Sequence, residues 1–597
     1  MWRAFGRFLL YLFAVIGVLA ILVAVMLGWA TFNLIREAGA PAAPPETIVL
    51  RIDLRQPLRD GPPQAPLLAA LAGRERTLHE TVEAIDRAAE DEDVVALVAH
   101  LGGDVFGLAM AQELRAAVAR FRDSGKPAYA YADTIGEFGS GNASYYLASG
   151  FDSIWVRPTG SIGLTGIRAE VPFAGNLLSD IGVEAEVVRR GRFKTFPETF
   201  TEDAMPPAHR EMLNSLVGDL FGQLVTGIAD GRGLDPATVE SLIDDGPYMA
   251  DAALDAGLID RLASLHALEA ELEERFGEAA EPVEPDRYLL AIGARDVDPE
   301  GRVALIYATG MIVLGEDESS PLIGPQLMIA ERIADAIDRA ASDAGFDAIV
   351  LRVDSGGGSA VASDVIGQAV QRADEQGTPV IVSMSSAAAS GGYWISAPAA
   401  EIVALPATLT GSIGVFAGNL DTRGLWDELG VNWDSVQRGE NADLWSNIAE
   451  LSPSGRERVN ALVDAIYEDF IALVAAGRGL DRGAVEDLAQ GRVWTGAQAE
   501  DRGLVDRLGG LDTALAAVRD VLELAEGAPL TVEVWPEPAS PLEQLVGLMS
   551  AEAAADGPAA AALRRLEPVV SRVWPLLRPP GETLLRMPPL RIGAERY

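Results

Sequence analysis

Residues 347–396 read DAIVLRVDSGGGSAVASDVIGQAVQRADEQGTPVIVSMSSAAASGGYWIS. An apolar, β-branched run ends in three glycines, a helical pattern follows near 360–374, and a second apolar run, PVIVSMS, leads to Ser390 and two more glycines. Strand, helix and strand in that order predict an α/β fold with a largely parallel sheet. In such a fold the functional groups lie beyond the strand ends, where both glycine loops fall. In VDSGGGSA (353–360) the glycines let backbone N–H groups approach a ligand closely, as an oxyanion hole requires; a flexible turn or a weak anion loop has the same composition. Ser390 stands at the start of a short helix, where a hydroxyl serves equally as an exposed nucleophile or as an N-cap.

A duplication narrows these alternatives. AGRGLD at 476–481 echoes ADGRGLD at 229–235, GLVDRLGGL at 503–511 echoes GLIDRLASL at 257–265, and GSIG occurs at 160 and at 411. YWISAPAAEIVALP at 393–406 aligns with YYLASGFDSIWVRP at 145–158, an offset of 248. The first copy shows the same alternation: TIVLRIDL, a helix near 77–89, DVVALVAH and a helix near 108–123. In the second copy VALIYAT and a helix near 327–342 precede the quoted stretch. The expected organisation is an N-terminal segment and anchor (1–45), a first repeat (46–277), an Ala/Glu/Pro/Asp-rich linker (278–300), a second repeat (301–525) and a C-terminal extension (526–597).

Of the 47 basic residues only Lys126 and Lys194 are lysines. Arginine replaces lysine for surface charge, but its guanidinium stays protonated and cannot act as a base, so a surviving lysine is a candidate amine. Lys126, in SGKPAYAYA, reads as part of a turn entering a strand. Lys194, in RRGRFKTFPETF, lies between Phe193 and Phe196, whose burial would lower an amine's pKa. At the offset of 248, Ser390 pairs with Asn142 and Lys194 with Ala442, so each copy keeps one half of a Ser/Lys pair. The glycine loop decays in parallel: the first copy has LGGDVFG at 101–107, with an Asp where an oxyanion would be repelled.

Composition excludes several classes. A net charge of −41 argues against nucleic acid or an anionic membrane surface as partner of the folded body. With no cysteine there is no thiol nucleophile, thiolate metal site or disulfide, and the four histidines (79, 100, 209, 266) lack metal-ligand spacing, so neither metal nor cofactor is expected. Phe8–Phe32 are 25 residues without a charge, preceded by Arg3 and Arg7, which predicts a transmembrane helix with a cytoplasmic N-terminus and an external body. A cleaved signal peptide ending near Ala38-Gly39-Ala40 is the competing reading.

At SAAASGGYWIS, TLTGSIG and GRFK the chain resembles the signal peptide peptidase A family in its long tandem form, membrane-anchored Ser/Lys peptidases of Clp-protease/crotonase-like fold. The likeness extends from the anchor to about residue 525. It implies Ser390 as nucleophile, Lys194 as general base, Ser412 as hydrogen-bond partner of the amine, and Gly357 in the oxyanion hole, with Gly358 and Gly391 as weaker additions. The family's loop often has Asn-Ser/Thr-Pro-Gly-Gly, whereas this chain has Asp354-Ser355-Gly356-Gly357-Gly358. The resemblance also implies a homo-oligomer, a tetramer in the long form, at the bacterial inner membrane with a periplasmic body, acting on signal peptides and other apolar unfolded peptides. The alternatives are a crotonase-like enzyme that stabilises a thioester enolate and a catalytically silent membrane scaffold. The Pro-punctuated, mildly basic tail at 564–597 has no role in this scheme beyond an extension that packs on the oligomer or binds lipid or a partner.

Overall fold

Six parallel strands form the first sheet, in the order Ala280–Val283, Thr47–Asp53, Val94–Leu101, Ala128–Ala132, Ser153–Val156 and Arg261–Leu262. The second sheet, of eight strands, repeats that order in six parallel ones, Leu530–Val534, Gly301–Thr309, Ala348–Ser355, Val380–Ala389, Glu401–Ala404 and Arg507–Leu508, and adds Leu409–Gly411 beside the end of Val380–Ala389, with Val493–Thr495 antiparallel to it. These sheets belong to a computed structural model that describes residues 45–62, 76–293, 299–315, 327–342 and 345–537, together with the backbone of two short strands, Leu584–Arg586 and Arg591–Ile592. The central strands are mostly apolar because helices cover both faces, and no residue of VVALVAHL or AIVLRVDS, the polar His100 and Arg352 included, faces open solvent.

The helices expected from periodicity form at Leu78–Glu90, Leu108–Asp123, Ala330–Ser342 and Ala360–Glu375. Thr77 and Glu80 close a capping box on the first, and Ser359 caps the last by accepting from Ala362 N–H. The duplication extends to single hydrogen bonds. Tyr145 Oη donates to the Leu258 carbonyl at 2.7 Å, and Tyr393 Oη to the Leu504 carbonyl at 2.9 Å. Asp260 and Asp506 each accept from a strand N–H, Ile154 and Ile402, and each pairs with an arginine, Arg232 and Arg478. Lys126 donates to the carbonyls of Ala88 and Asp91 at the end of helix Leu78–Glu90, a structural use of the amine.

Two boundaries differ from the sequence reading. Much of 278–300 is not a free connector: Ala280–Val283 adds an edge strand to the first sheet and Pro285–Ile292 is a helix whose Tyr288 is fully buried. Likewise the segment after 525 begins as part of the second sheet, since Leu530–Val534 pairs with Gly301–Thr309. Both edge strands are short, four and five residues, too few for a periodicity argument to set apart from their surroundings. The apolar stretch Phe8–Phe32 lies outside the described residues; among those described, no helix is long and apolar enough to cross a membrane.

Among the places where the repeats meet, two fix the approach to Ser390. At one, the Arg352 guanidinium, buried on the strand Ala348–Ser355, donates to Glu113 at 2.6 Å and Asp60 at 3.1 Å, both from the first repeat, and to Ser383 at 2.9 Å. Removing one partner of such a desolvated cluster leaves a bare charge, so the cluster enforces one docking of the repeats. At the other, Glu184–Arg190 of the first repeat pairs antiparallel with Val415–Asp421 of the second, from Arg190↔Val415 to Glu184↔Asp421. Glycines permit this approach: a Cβ on Gly418 would lie 2.1 Å from the Glu186 carbonyl oxygen. The chain leaves Glu184–Arg190 directly into the turn that bears Lys194.

Candidate active site

Ser390 follows the last residue of the strand Val380–Ala389 and precedes the helix Gly391–Ser396. Its backbone is bent into the left-handed region, φ 59°, a conformation that costs a non-glycine residue about 1–3 kcal/mol. The bend is held by Ser390 N–H to the Gly411 carbonyl at 2.8 Å and by Trp394 N–H to the Ser390 carbonyl at 2.9 Å. Neither following position tolerates a side chain: a Cβ on Gly391 would meet Ser363 Oγ at 2.6 Å, and one on Gly392 the Ser355 carbonyl oxygen at 2.6 Å. The serine hydroxyl is therefore presented at a rigid strand-to-helix corner.

Lys194 reaches it from the other repeat. Its Nζ lies 2.7 Å from Ser390 Oγ, 2.8 Å from the Ser412 carbonyl oxygen and 3.0 Å from Ser412 Oγ. All three residues are fully buried, and that burial alone pushes the Lys194 amine well below the ordinary lysine range. A carbonyl oxygen can only accept, so one amine hydrogen is committed to Ser412. In the neutral amine a second hydrogen goes to Ser412 Oγ, and the lone pair faces the Ser390 hydroxyl. Ser412 itself has φ 52° and is fixed by its N–H to the Arg492 carbonyl at 2.7 Å.

The glycine loop lies against the same corner. A Cβ on Gly391 would stand 3.1 Å from Gly358 N and 3.2 Å from Gly357 Cα, so Gly357, Gly358 and Gly391 all border Ser390. Gly357 takes φ +100°, and its N–H donates to Ser355 Oγ at 3.1 Å, while Ser355 donates in turn to the Gly310 carbonyl at 2.6 Å. The Ser355 hydroxyl thus braces the loop where the family pattern has its proline. Beyond it, Gly357–Ser359 pairs antiparallel with Leu584–Arg586, with Gly357 opposite Arg586, and Leu584 also pairs with Phe416 on the other side. The strand Arg591–Ile592 pairs with Ala169–Glu170 of the first repeat. The tail backbone therefore lies as a strand along the glycine loop, which itself borders Gly391 beside Ser390.

The equivalent place in the first repeat is closed by its own side chains. Asn142 donates to Ser140 Oγ at 2.9 Å and to the Gly166 carbonyl at 2.8 Å, and Asp104 accepts from Ser144 N–H at 2.9 Å, at the start of the short helix. Ala442, the counterpart of Lys194, is exposed.

Several residues around Lys194 escaped the sequence reading. A Cβ on Gly491 would lie 2.5 Å from Lys194 N and 2.7 Å from Lys194 Cβ, so the bare backbone at 491 lets the lysine turn cross the second repeat. Arg189, Glu198 and His209 form a linked polar group behind that turn, with Glu198 and His209 buried and Arg189 part-exposed. Gly491 sits in AQGRVW and gave a turn signal at most; Arg189 and Glu198 lie within RRGRFKTFPETF and His209 beyond it, where no spacing marks them.

A buried lysine amine set on a serine hydroxyl at the strand ends of an α/β fold defines the serine hydrolases that use lysine in place of histidine. The sequence model of Peptidase family S49 matches residues 120–277, which contain Lys194, and 372–525, which contain Ser390 and Ser412. The chain is 34% identical over 471 residues to Protease 4 of Salmonella typhi, covering 76% of this chain and 73% of that one. It is 28% identical over 488 residues to the chloroplastic serine protease SPPA of Arabidopsis thaliana, covering 79% and 69%. Identity to the putative signal peptide peptidase SppA of Enterococcus faecium is 34% over 184 residues, 31% of this chain and 54% of that one. The chain belongs to peptidase family S49 and is a serine-type peptidase.

Proposed function

We propose that the protein is a membrane-anchored endopeptidase that degrades cleaved signal peptides with Ser390 as nucleophile and Lys194 as general base. The observation behind this reading is the fully buried Lys194 Nζ at 2.7 Å from Ser390 Oγ. Neutral Nζ takes the Ser390 proton as Oγ bonds to the substrate carbonyl carbon. The resulting oxyanion is met by the N–H groups of Gly391, at the start of a helix, and of Gly358, each donor of this kind being worth about 3 kcal/mol; the Gly357 N–H, expected in this role from the family resemblance, is instead taken by Ser355 Oγ. The lysine ammonium returns the proton to the departing amine as the C–N bond breaks. Nζ, neutral again, then takes a proton from the water that cleaves the acyl-serine ester. Ser412 orients the amine throughout.

Extended, unfolded substrate suits the edge of Gly357–Ser359, because a backbone already lies there as an antiparallel strand. The name of the Enterococcus relative and the apolar stretch Phe8–Phe32 support signal peptides as substrate and an inner-membrane anchor with the body in the periplasm. The two repeats, 46–277 and 301–525, each extended by its added edge strand, Ala280–Val283 and Leu530–Val534, are read as Clp-protease/crotonase-like units completing one site within the chain, in a tetramer. The test is cleavage of an apolar signal peptide by the full chain in detergent, with labelling of Ser390 by a fluorophosphonate. Ser390→Ala and Lys194→Arg should each abolish turnover, and Lys194→Arg should also abolish labelling; full activity in either variant overturns the assignment.

A further inference from the structure

Behind the lysine turn lies a chain of polar contacts, part-exposed at Arg189 and buried at Glu198 and His209, that the chemistry above does not use. The Arg189 side chain donates through one nitrogen to both the Lys194 carbonyl, at 3.1 Å, and Glu198 Oε1, at 2.6 Å. The other carboxylate oxygen, Glu198 Oε2, lies 2.8 Å from His209 Nδ1, which must carry the ring proton to donate to it. Burial by itself would raise the Glu198 carboxyl, but the hydrogen bonds from His209 and Arg189 outweigh it and hold the group ionised below its usual range. Glu198 and His209 are shielded from solvent, with side-chain exposures of 1% and 0%. His209 packs edge-on against Phe173, and its Nε2 has no hydrogen-bond partner among the described residues.

These three residues come from three elements that converge on the turn: the strand Glu184–Arg190, the helix Glu198–Thr201 and the helix Pro207–Arg232. Apart from Arg189, the backbone of the turn is held by Lys194 N–H to the Gly191 carbonyl, 3.1 Å, and Phe193 N–H to the Gln490 carbonyl, 2.8 Å. We propose that Arg189, Glu198 and His209 act as one positioning unit, with His209 and Glu198 aiming Arg189 at the Lys194 carbonyl so that Nζ stays seated on Ser390 Oγ. This inference rests on Lys194 being the base. The charged groups packed about the turn are Arg189 and Glu198, with His209, on one side and Arg192 and the Arg492–Glu211 pair beside Phe193 on the other. If the unit fails, the turn loosens and water reaches the amine, which then regains its proton more readily.

The variants are Arg189→Met, Glu198→Ala and their double, with Glu198→Gln as the conservative replacement. The glutamine carbonyl can still accept from Arg189, and its amide N–H can donate to His209 Nδ1 once the ring proton moves to the free Nε2. The readouts, on the full chain, are the pH profile of kcat/KM for a fluorogenic peptide and the rate of fluorophosphonate labelling at Ser390. Arg189→Met and Glu198→Ala should each lower kcat about ten- to hundredfold with little change in KM, as a displacement of about 1 Å does. Each should also move the rising limb of the profile to higher pH, and the double variant should be no worse than the poorer single. Glu198→Gln should retain most of the activity. Wild-type kcat and pH limb in Arg189→Met and Glu198→Ala, alongside loss in Lys194→Arg, overturn the positioning unit alone; retained labelling in Lys194→Arg overturns the base assignment beneath it. A fall in thermal stability with an unmoved pH limb assigns the group to folding and overturns the proposal.

Discussion

Gly491→Ala isolates the geometric demand that the site makes. A Cβ at this position would stand 2.5 Å from Lys194 N, 2.7 Å from Lys194 Cβ and 2.8 Å from Lys194 Cα, where ordinary contact begins at 3.4 Å. The lysine turn must therefore retreat by about 1 Å, or the second repeat must yield by as much. Because Nζ is held by three contacts of 2.7–3.0 Å, a retreat of that size breaks its alignment with Ser390 Oγ. Misplacement on this scale costs about a hundredfold in rate, roughly 2.7 kcal/mol at the transition state. The residue also has φ +72°, so alanine adds strain of about 1–2 kcal/mol whatever the space. Gly479→Ala separates the two effects: it shares the left-handed backbone, φ +62°, at the end of the helix Pro453–Arg478, but a Cβ there meets nothing within 4 Å. Steady-state kinetics on a fluorogenic peptide, with thermal unfolding of each variant, should show both variants destabilised and only Gly491→Ala losing kcat, with KM little changed. Equal kcat in the two variants would refute the claim that bare backbone at 491 seats the lysine.

Two other outcomes follow from the same site. An amine whose pKa is lowered by folding binds a proton more readily in the unfolded chain, so Lys194 burial opposes folding below the ordinary lysine pKa of 10.5, and stability rises with pH from the lowered value up to it. Lys194→Met should therefore be inactive yet melt at a higher temperature than wild type at neutral pH; a lower melting temperature would mean that the amine's hydrogen bonds outweigh its desolvation. A chain ending at Glu537, which lacks the strand paired with Gly357–Ser359, should bind peptide with a lower KM and an unchanged kcat, because substrate no longer competes with the tail for that edge; an unchanged KM would show that the tail strand does not exclude substrate.

Much of this was legible in the chain because it is written locally. Alternating apolar and helical periods marked the α/β units, and the helices near 108–123 and 360–374 formed where the pattern placed them. The repeat offset of 248 matched Ser390 to Asn142 and Lys194 to Ala442, and the scarcity of lysine singled out the amine. Less was legible where a segment's partner lies far along the chain. Ala280–Val283 and Leu530–Val534 are short runs beside Pro- and Glu-containing segments that read as linker and tail, and their pairing is with an open sheet edge formed by residues far away in the chain. The Ser355 hydroxyl bracing the glycine loop, and Gly491 clearing a path for Lys194, are likewise consequences of contact rather than of pattern.

By itself the sequence determined the secondary structure, the duplication and the residue types a lysine-based peptidase needs, because propensity, periodicity and side-chain chemistry act over a few neighbours. Only the tertiary structure decided that the two halves of the dyad meet. Ser390 and Lys194 are 196 residues apart, and the 2.7 Å between Oγ and Nζ depends on antiparallel pairing of Glu184–Arg190 with Val415–Asp421 and on the buried Arg352 cluster fixing the repeats against each other. Burial of the amine is likewise a property of that junction, since no local run of residues can exclude water from a lysine whose walls come from both repeats.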